Sequence, residues 1–351
     1  MRIGQGTGQT VQPLLIVPPS EEDELTSSWL IRTAQFHGQP VLKLLREIGR
    51  APDAMDLSAM DLGTPRSALR PAAAVLGVGI EYLAKRSIPG AYPWARGLLA
   101  RYPGAGPIRY AACPHCLEEQ RLSHGVSWLR RAWVLAPCTV CSRHHAPLVE
   151  VRPGEVAHPA WADYASRYPL AGIGSYLARP TRPDAAAAPS SEARPMATGM
   201  EAILYHEMVR LQEASLLASA PGRARRPMRG QDRSAHDVVW AFTRADRFEP
   251  DRLVYEAFAL ERLDSRWQMA RRRLAGPVEF STLSLRSRHL MLATATILTS
   301  TTALRRAFRD PPGDWQSDAA ALLDCLTDAD RMEWRKRQQN WRTREFYHLK
   351  E

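Results

Sequence analysis

Between Cys113 and Leu148 the chain reads CPHCLEEQRLSHGVSWLRRAWVLAPCTVCSRHHAPL, and this stretch restricts the fold more than any other. It carries Cys113, Cys116, Cys138 and Cys141 out of five cysteines, and His115, His124, His144 and His145 out of ten histidines. A Cys-x2-Cys turn brings two thiolates onto one ion, and a tetrahedral centre then needs two more donors from further along. Two second pairs are available by spacing. Cys138 with Cys141 gives C-x2-C-x21-C-x2-C, and Cys141 with His144 gives C-x2-C-x24-C-x2-H. Both suit zinc, which accepts sulfur and imidazole nitrogen in either mix. An odd cysteine, and an N-terminus (MRIGQGTGQTVQP) with no apolar run, argue against a disulfide framework.

The loop between the two ligand turns interleaves charge with aromatics: Arg121, His124, Trp128, Arg130, Arg131 and Trp133. Such residues hold phosphates and stack on bases or on a partner. The two tryptophans equally suit the small core that a zinc module must build. Arg121, Arg130 and Arg131 are therefore the surface candidates. Pro137-Cys138-Thr139-Val140-Cys141 also matches half of a nucleobase-deaminase zinc site. That chemistry needs a His-x-Glu upstream, which neither His115 nor His124 supplies. Four protein ligands would also leave no position for an activated water, so a zinc hydrolase or deaminase is disfavoured.

CPHCLEE, then WLRRAW, then Cys-x2-His followed by Pro-Leu, resembles the TniQ family of transposition targeting proteins. The upstream segment EEDELTSSWLIRTAQFHG fits that family's other mark, an acidic lead-in followed by Ser-Trp, a hydrophobic pair, Arg and Ala. The resemblance covers roughly the first 150 residues. It implies Cys113, Cys116, Cys141 and His144 as the metal ligands, with Cys138 a spare thiol or substitute ligand. It also places His145 where relatives prefer glycine. Many relatives add a second cysteine pair after the leucine; VEVRPGEVAHPAWADY contains none, so one Zn2+ is expected. The implied function is non-enzymatic: a target-selection adaptor linking a AAA+ transposition ATPase to target DNA or to a CRISPR effector complex with its guide RNA. Homodimers are within the family's range. A stand-alone sequence-specific DNA-binding regulator is the competing function.

The rest of the chain suits a mainly α, multi-domain protein around a zinc-ribbon or zinc-finger-like module. Residues 1–13 read as a flexible arm, 14–107 as a helical N-terminal part, 108–150 as the zinc module, 151–198 as a connector and Pro/Ala-rich linker, and 199–351 as a helical C-terminal domain with a basic tail. Ser20 followed by Glu21, Glu22, Asp23 and Glu24 looks like a capped helix start, with Leu25, Trp29 and Phe36 on one stripe. The stretch 67–83 forms two helical stripes about Gly77 and Gly79, either a helix-turn-helix or a scaffold. Arg223, Arg225, Arg226 and Arg229 make an acid-free basic loop, a candidate nucleic-acid contact. Helices are expected over 200–218, from 238, over 253–274, within 280–308, and from 315 to 326, where Cys325 is a buried small hydrophobe. Trp334 and Trp341 share a face of the basic tail. At 45% hydrophobic and 24% charged the chain suits a folded protein, and its net charge of +10 suits a polyanionic partner. No apolar run reaches 18 residues, so a cytoplasmic protein without a membrane span, its thiols reduced, is expected.

Overall fold

The computed structural model describes residues 16–49, 57–94, 96–103, 108–124, 126–151, 199–219, 230–244, 279–299 and 326–339. The expected arm at 1–13, the connector and linker at 151–198 apart from its first residue, the four arginines of the basic loop, the helix at 253–274 and Cys325 lie outside them, as does Trp341. The described residues are mostly helical. They fall into two compact units. One draws on Met1–Pro93 and Leu117–Arg131; the other on Trp94–Cys116, Ala132–Val151 and Leu177–Glu351.

The first unit contains α1 (Thr26–Phe36), α2 (Val41–Glu47), α3 (Leu57–Leu62), α4 (Leu69–Leu76), α5 (Ile80–Arg86) and α6 (Ile88–Ala91). Helix α1 packs on α2, α3 and α4 through Trp29, Leu30, Ala34, Leu44, Met60 and Leu69, all buried. The helix begins at Thr26, not at Ser20, and no side chain of its own N-cap residue, Leu25, holds its first amides. Asp61 of α3 does so instead. Its carboxylate accepts from the Ser27 amide at 2.9 Å and from the Ser27 hydroxyl at 2.6 Å. A buried carboxylate at a helix N-terminus satisfies an orphan donor and complements the helix dipole. Ser20 faces the Tyr82 hydroxyl at 3.3 Å instead of capping. Phe36, expected on the buried stripe, is 58% exposed, because the helix ends there and Gly38 (φ +60°) turns the chain away.

The acidic lead-in has its own role. Glu24 is fully buried and forms a bidentate pair with Arg32, Nε to Oε1 at 2.8 Å and Nη2 to Oε2 at 2.7 Å. The same carboxylate accepts from the Glu21 amide and the Ser28 hydroxyl, and Arg32 also donates to the Pro19 carbonyl. This network straps residues 18–24 along α1. Gly77 (φ +63°) closes α4 with a left-handed turn, and Gly79 precedes α5. Only Leu83 of α5 is buried.

The second unit contains the antiparallel pair β1 (Tyr110–Ala112) and β2 (Val149–Val151), with Tyr110 opposite Val151. It also holds α8 (Gly199–Ser219), α9 (Gly230–Arg244), α10 (Leu285–Thr299) and α11 (Asp328–Gln339). Helix α10 packs on α8 and α9, and α11 packs on α9 with Trp334 buried. Helix α7 (Pro114–His124) runs across the division between the units along the chain. No described helix is long and apolar enough to cross a membrane.

Candidate metal centre

Two short turns bring four donors together, and both belong to the second unit. The first follows β1 directly. Cys113 leaves the strand, Pro114 opens α7, and Cys116 sits in its first turn. Proline is favoured at that first helical position because its missing N–H would be an orphan anyway. A helix N-terminus also stabilises thiolate over thiol. The second turn lies just before β2. Residues 139–141 pair antiparallel with 146–148: the Cys141 amide donates to the Ala146 carbonyl at 2.8 Å, and the Leu148 amide to the Thr139 carbonyl at 2.9 Å. The tip is closed by the His145 amide on the Cys141 carbonyl at 2.9 Å. His145 has φ +47°, in the left-handed region that glycine enters at no steric cost.

The ligand atoms of Cys113, Cys116, Cys141 and His144 all lie within 4.8 Å of one another. Cys116 Sγ is 3.6 Å from Cys141 Sγ, and His144 Nδ1 is 3.3, 3.6 and 3.7 Å from the sulfurs of Cys116, Cys113 and Cys141. A zinc tetrahedron with Zn–S of about 2.3 Å and Zn–N of about 2.0 Å has ligand–ligand edges of about 3.5–3.8 Å. The residues therefore fit such an ion, with His144 offering Nδ1. The three cysteines are buried.

The electrostatics point the same way. Hydrogen bonds from the thiols of Cys113 and Cys116 hold the Cys141 thiol far below its usual range, aided by the amides of His144 and Arg143. The Cys116 thiol is pushed up by its contact with Cys113, then by Cys141 and by burial. Three sulfurs at such separations repel one another as thiolates, so one ionises and its neighbours keep their protons. A divalent cation removes that conflict and lets all three ionise.

Spacing alone left Cys138 open as a ligand. The structure keeps it out of the cluster. Its side chain is buried, and burial pushes its thiol up to about 12.

The basic loop residues are engaged within the chain. Arg121 pairs with Glu118 one turn back on α7. Arg130 forms an ion pair with Asp23 at 3.2 Å. Arg131 donates to the carbonyls of Glu22 and Arg86. Trp128 is buried with Nε1 on the Asp23 carboxylate at 3.1 Å, and Trp133 is buried too. Both rings are therefore core and offer no face for stacking. Arg223, Arg225, Arg226 and Arg229 lie outside the described residues.

Two buried polar residues were not singled out by sequence. Arg288 is fully buried on α10 and donates to the Ala136 carbonyl at 2.5 Å and the Leu283 carbonyl at 3.2 Å. Burial pulls its pKa down to about 10, so it stays charged at neutral pH. Gln212 of α8 lies against Thr139 and Val140, the residues leading into Cys141. It occupies the position four after Met208 on the buried face of α8, where Ser215 is polar too, and a glutamine at that helical spacing was the signal in the sequence.

No curated protein matches the chain. Residues 15–148 match the TniQ family model, a span that runs from the strap on α1 to the end of the second ligand turn. Over those residues the chain carries a TniQ domain, similar to the domain of transposition-associated proteins.

Proposed function

We propose that this protein is a target-selection adaptor in transposition, linking a AAA+ transposition ATPase to target DNA or to an RNA-guided effector complex. The TniQ domain over 15–148 carries this reading. The metal cluster supports a binding role over a catalytic one. When bound, zinc would supply a fixed structural node held by Cys113, Cys116, Cys141 and His144, and four protein donors leave it no open position for activating a water. The chain's own residues then do the work of shape: Pro114 sets the start of α7, and the 139–148 hairpin fixes the turn that presents His144. The net charge of +10 suits a polyanion as one of the partners.

A stand-alone DNA-binding regulator is a second reading, favoured by the α4–Gly77–α5 pair, in which only Leu83 of the second helix is buried. The two part in a capture experiment. Tagged full-length protein is mixed with the transposition ATPase, with and without duplex DNA. Retention of the ATPase supports the adaptor. Tight binding to one duplex sequence, with the ATPase left in the flow-through, supports the regulator and removes the adaptor.

A further inference from the structure

Residues 139–141 form one strand of the hairpin that carries Cys141 and His144. Their inner edge is used by 146–148, and among the described residues no strand pairs with the outer edge of Thr139 and Val140. An open edge near a ligand turn exposes donors and acceptors that must be satisfied when buried. Thr139 is fully buried and Val140 nearly so. The Gln212 carboxamide fills that edge. Its Oε1 accepts from the Thr139 amide at 2.7 Å and the Val140 amide at 2.9 Å, and its Nε2 donates to the Val140 carbonyl at 3.0 Å. Gln212 is itself buried, on α8. One side chain thus reproduces the hydrogen bonding of a neighbouring strand.

We propose that Gln212 is a positioning residue for the metal centre, presetting the Thr139–His144 turn so that Cys141 and His144 converge before an ion arrives. The proposal rests on the metal reading above and extends it. The residue that aims the second ligand pair lies 64 positions beyond the end of the family match at residue 148, on a helix of the C-terminal half. Metal retention by the TniQ domain is therefore a property of the whole second unit. Groups that hydrogen-bond a metal ligand are typically worth about tenfold to a hundredfold in metal affinity, and Gln212 acts on the backbone that leads directly into one.

The test uses full-length protein loaded with zinc, and follows release to a chromogenic chelator. Gln212→Met keeps the side-chain length and removes every hydrogen bond that Gln212 makes to Thr139 and Val140, including the one from the Thr139 hydroxyl. Met208→Ala, on the same helix, removes buried apolar volume and none of those hydrogen bonds. Zinc release about ten- to a hundredfold faster in Gln212→Met than in Met208→Ala supports the proposal. Equal release in the two variants, or a wild-type rate in Gln212→Met, overturns it. Should Gln212→Met fail to fold, amide exchange in the zinc-stripped wild type decides. Protected Thr139 and Val140 amides support a preset turn, and unprotected ones overturn it. A wild-type protein that holds no zinc at all defeats the metal reading itself, an outcome distinct from wild-type metal with an indifferent Gln212.

Discussion

His145 shows how one backbone angle limits what a position accepts. Its φ of +47° is needed to close the turn through its amide on Cys141. A β-branched side chain is the least tolerant of that region, so His145→Val should cost about 1–2 kcal/mol. His145→Gly should cost less or stabilise, and both are measured by urea unfolding of the zinc-loaded protein. The family's preference for glycine there now has a steric cause. The ligand set was legible in sequence only as far as spacing reaches. Cys113 and Cys116 follow from one local turn. Cys138 and Cys141 are spaced as well as Cys141 and His144, so local spacing cannot rank them. Geometry ranks them: His144 Nδ1 lies 3.3–3.7 Å from the three clustered sulfurs, and Cys138 stays out of the cluster. Cys141→Ser should therefore lose the ion and loosen the hairpin, since metal affinity and local folding are linked. Cys138→Ser should keep about one zinc per chain, the number expected of a single tetrahedral site. Elemental analysis of the purified variants distinguishes the two; a metal-free Cys138→Ser protein would contradict the assignment.

At the scale of elements, helix interiors were readable, and α8 (Gly199–Ser219) starts within a residue of the expected 200, but the start of α1 was missed. Leu25 and Trp29 are buried as the stripe predicted, because periodicity records the face that packs. The start of α1 was misplaced because its cap comes from Asp61, 34 residues later, and no local motif encodes that. The acidic run before α1 looked like a first turn. It is instead a strap, in which Glu24 is buried against Arg32 and ringed by the Glu21 amide and the Ser28 hydroxyl. A buried ion pair gives little net stability, yet removing one partner strands the other. Glu24→Ala should thus cost about 3–5 kcal/mol. Replacing both partners, Glu24→Met with Arg32→Met, should cost less than that single change. Chemical denaturation of the three proteins checks the order, and a double variant less stable than Glu24→Ala would show that the pair contributes more than its own desolvation.

Across the whole molecule, residues far apart in sequence complete one another in ways a linear reading misses. Glu150 of β2 accepts from Arg109 and caps α10 through the Leu285 amide, while Arg288 of α10 reaches back to Ala136. Charge alone does not say where a guanidinium goes. Net charge of +10 and a Trp-Leu-Arg-Arg run suggest phosphate contacts. Yet Arg131 spends its guanidinium on the carbonyls of Glu22 and Arg86, and so holds the lead-in segment in place. Its removal leaves acceptors without a donor, a loss of about 1–3 kcal/mol. A phosphate contact has a different signature: each one made steepens the fall of log K with log salt by about 0.9. Arg131→Ala should accordingly lower unfolding stability while leaving the salt slope of duplex binding at the wild-type value. A slope shallower by about one in that variant would place Arg131 on the phosphates after all, and the strap would then have to open when DNA binds.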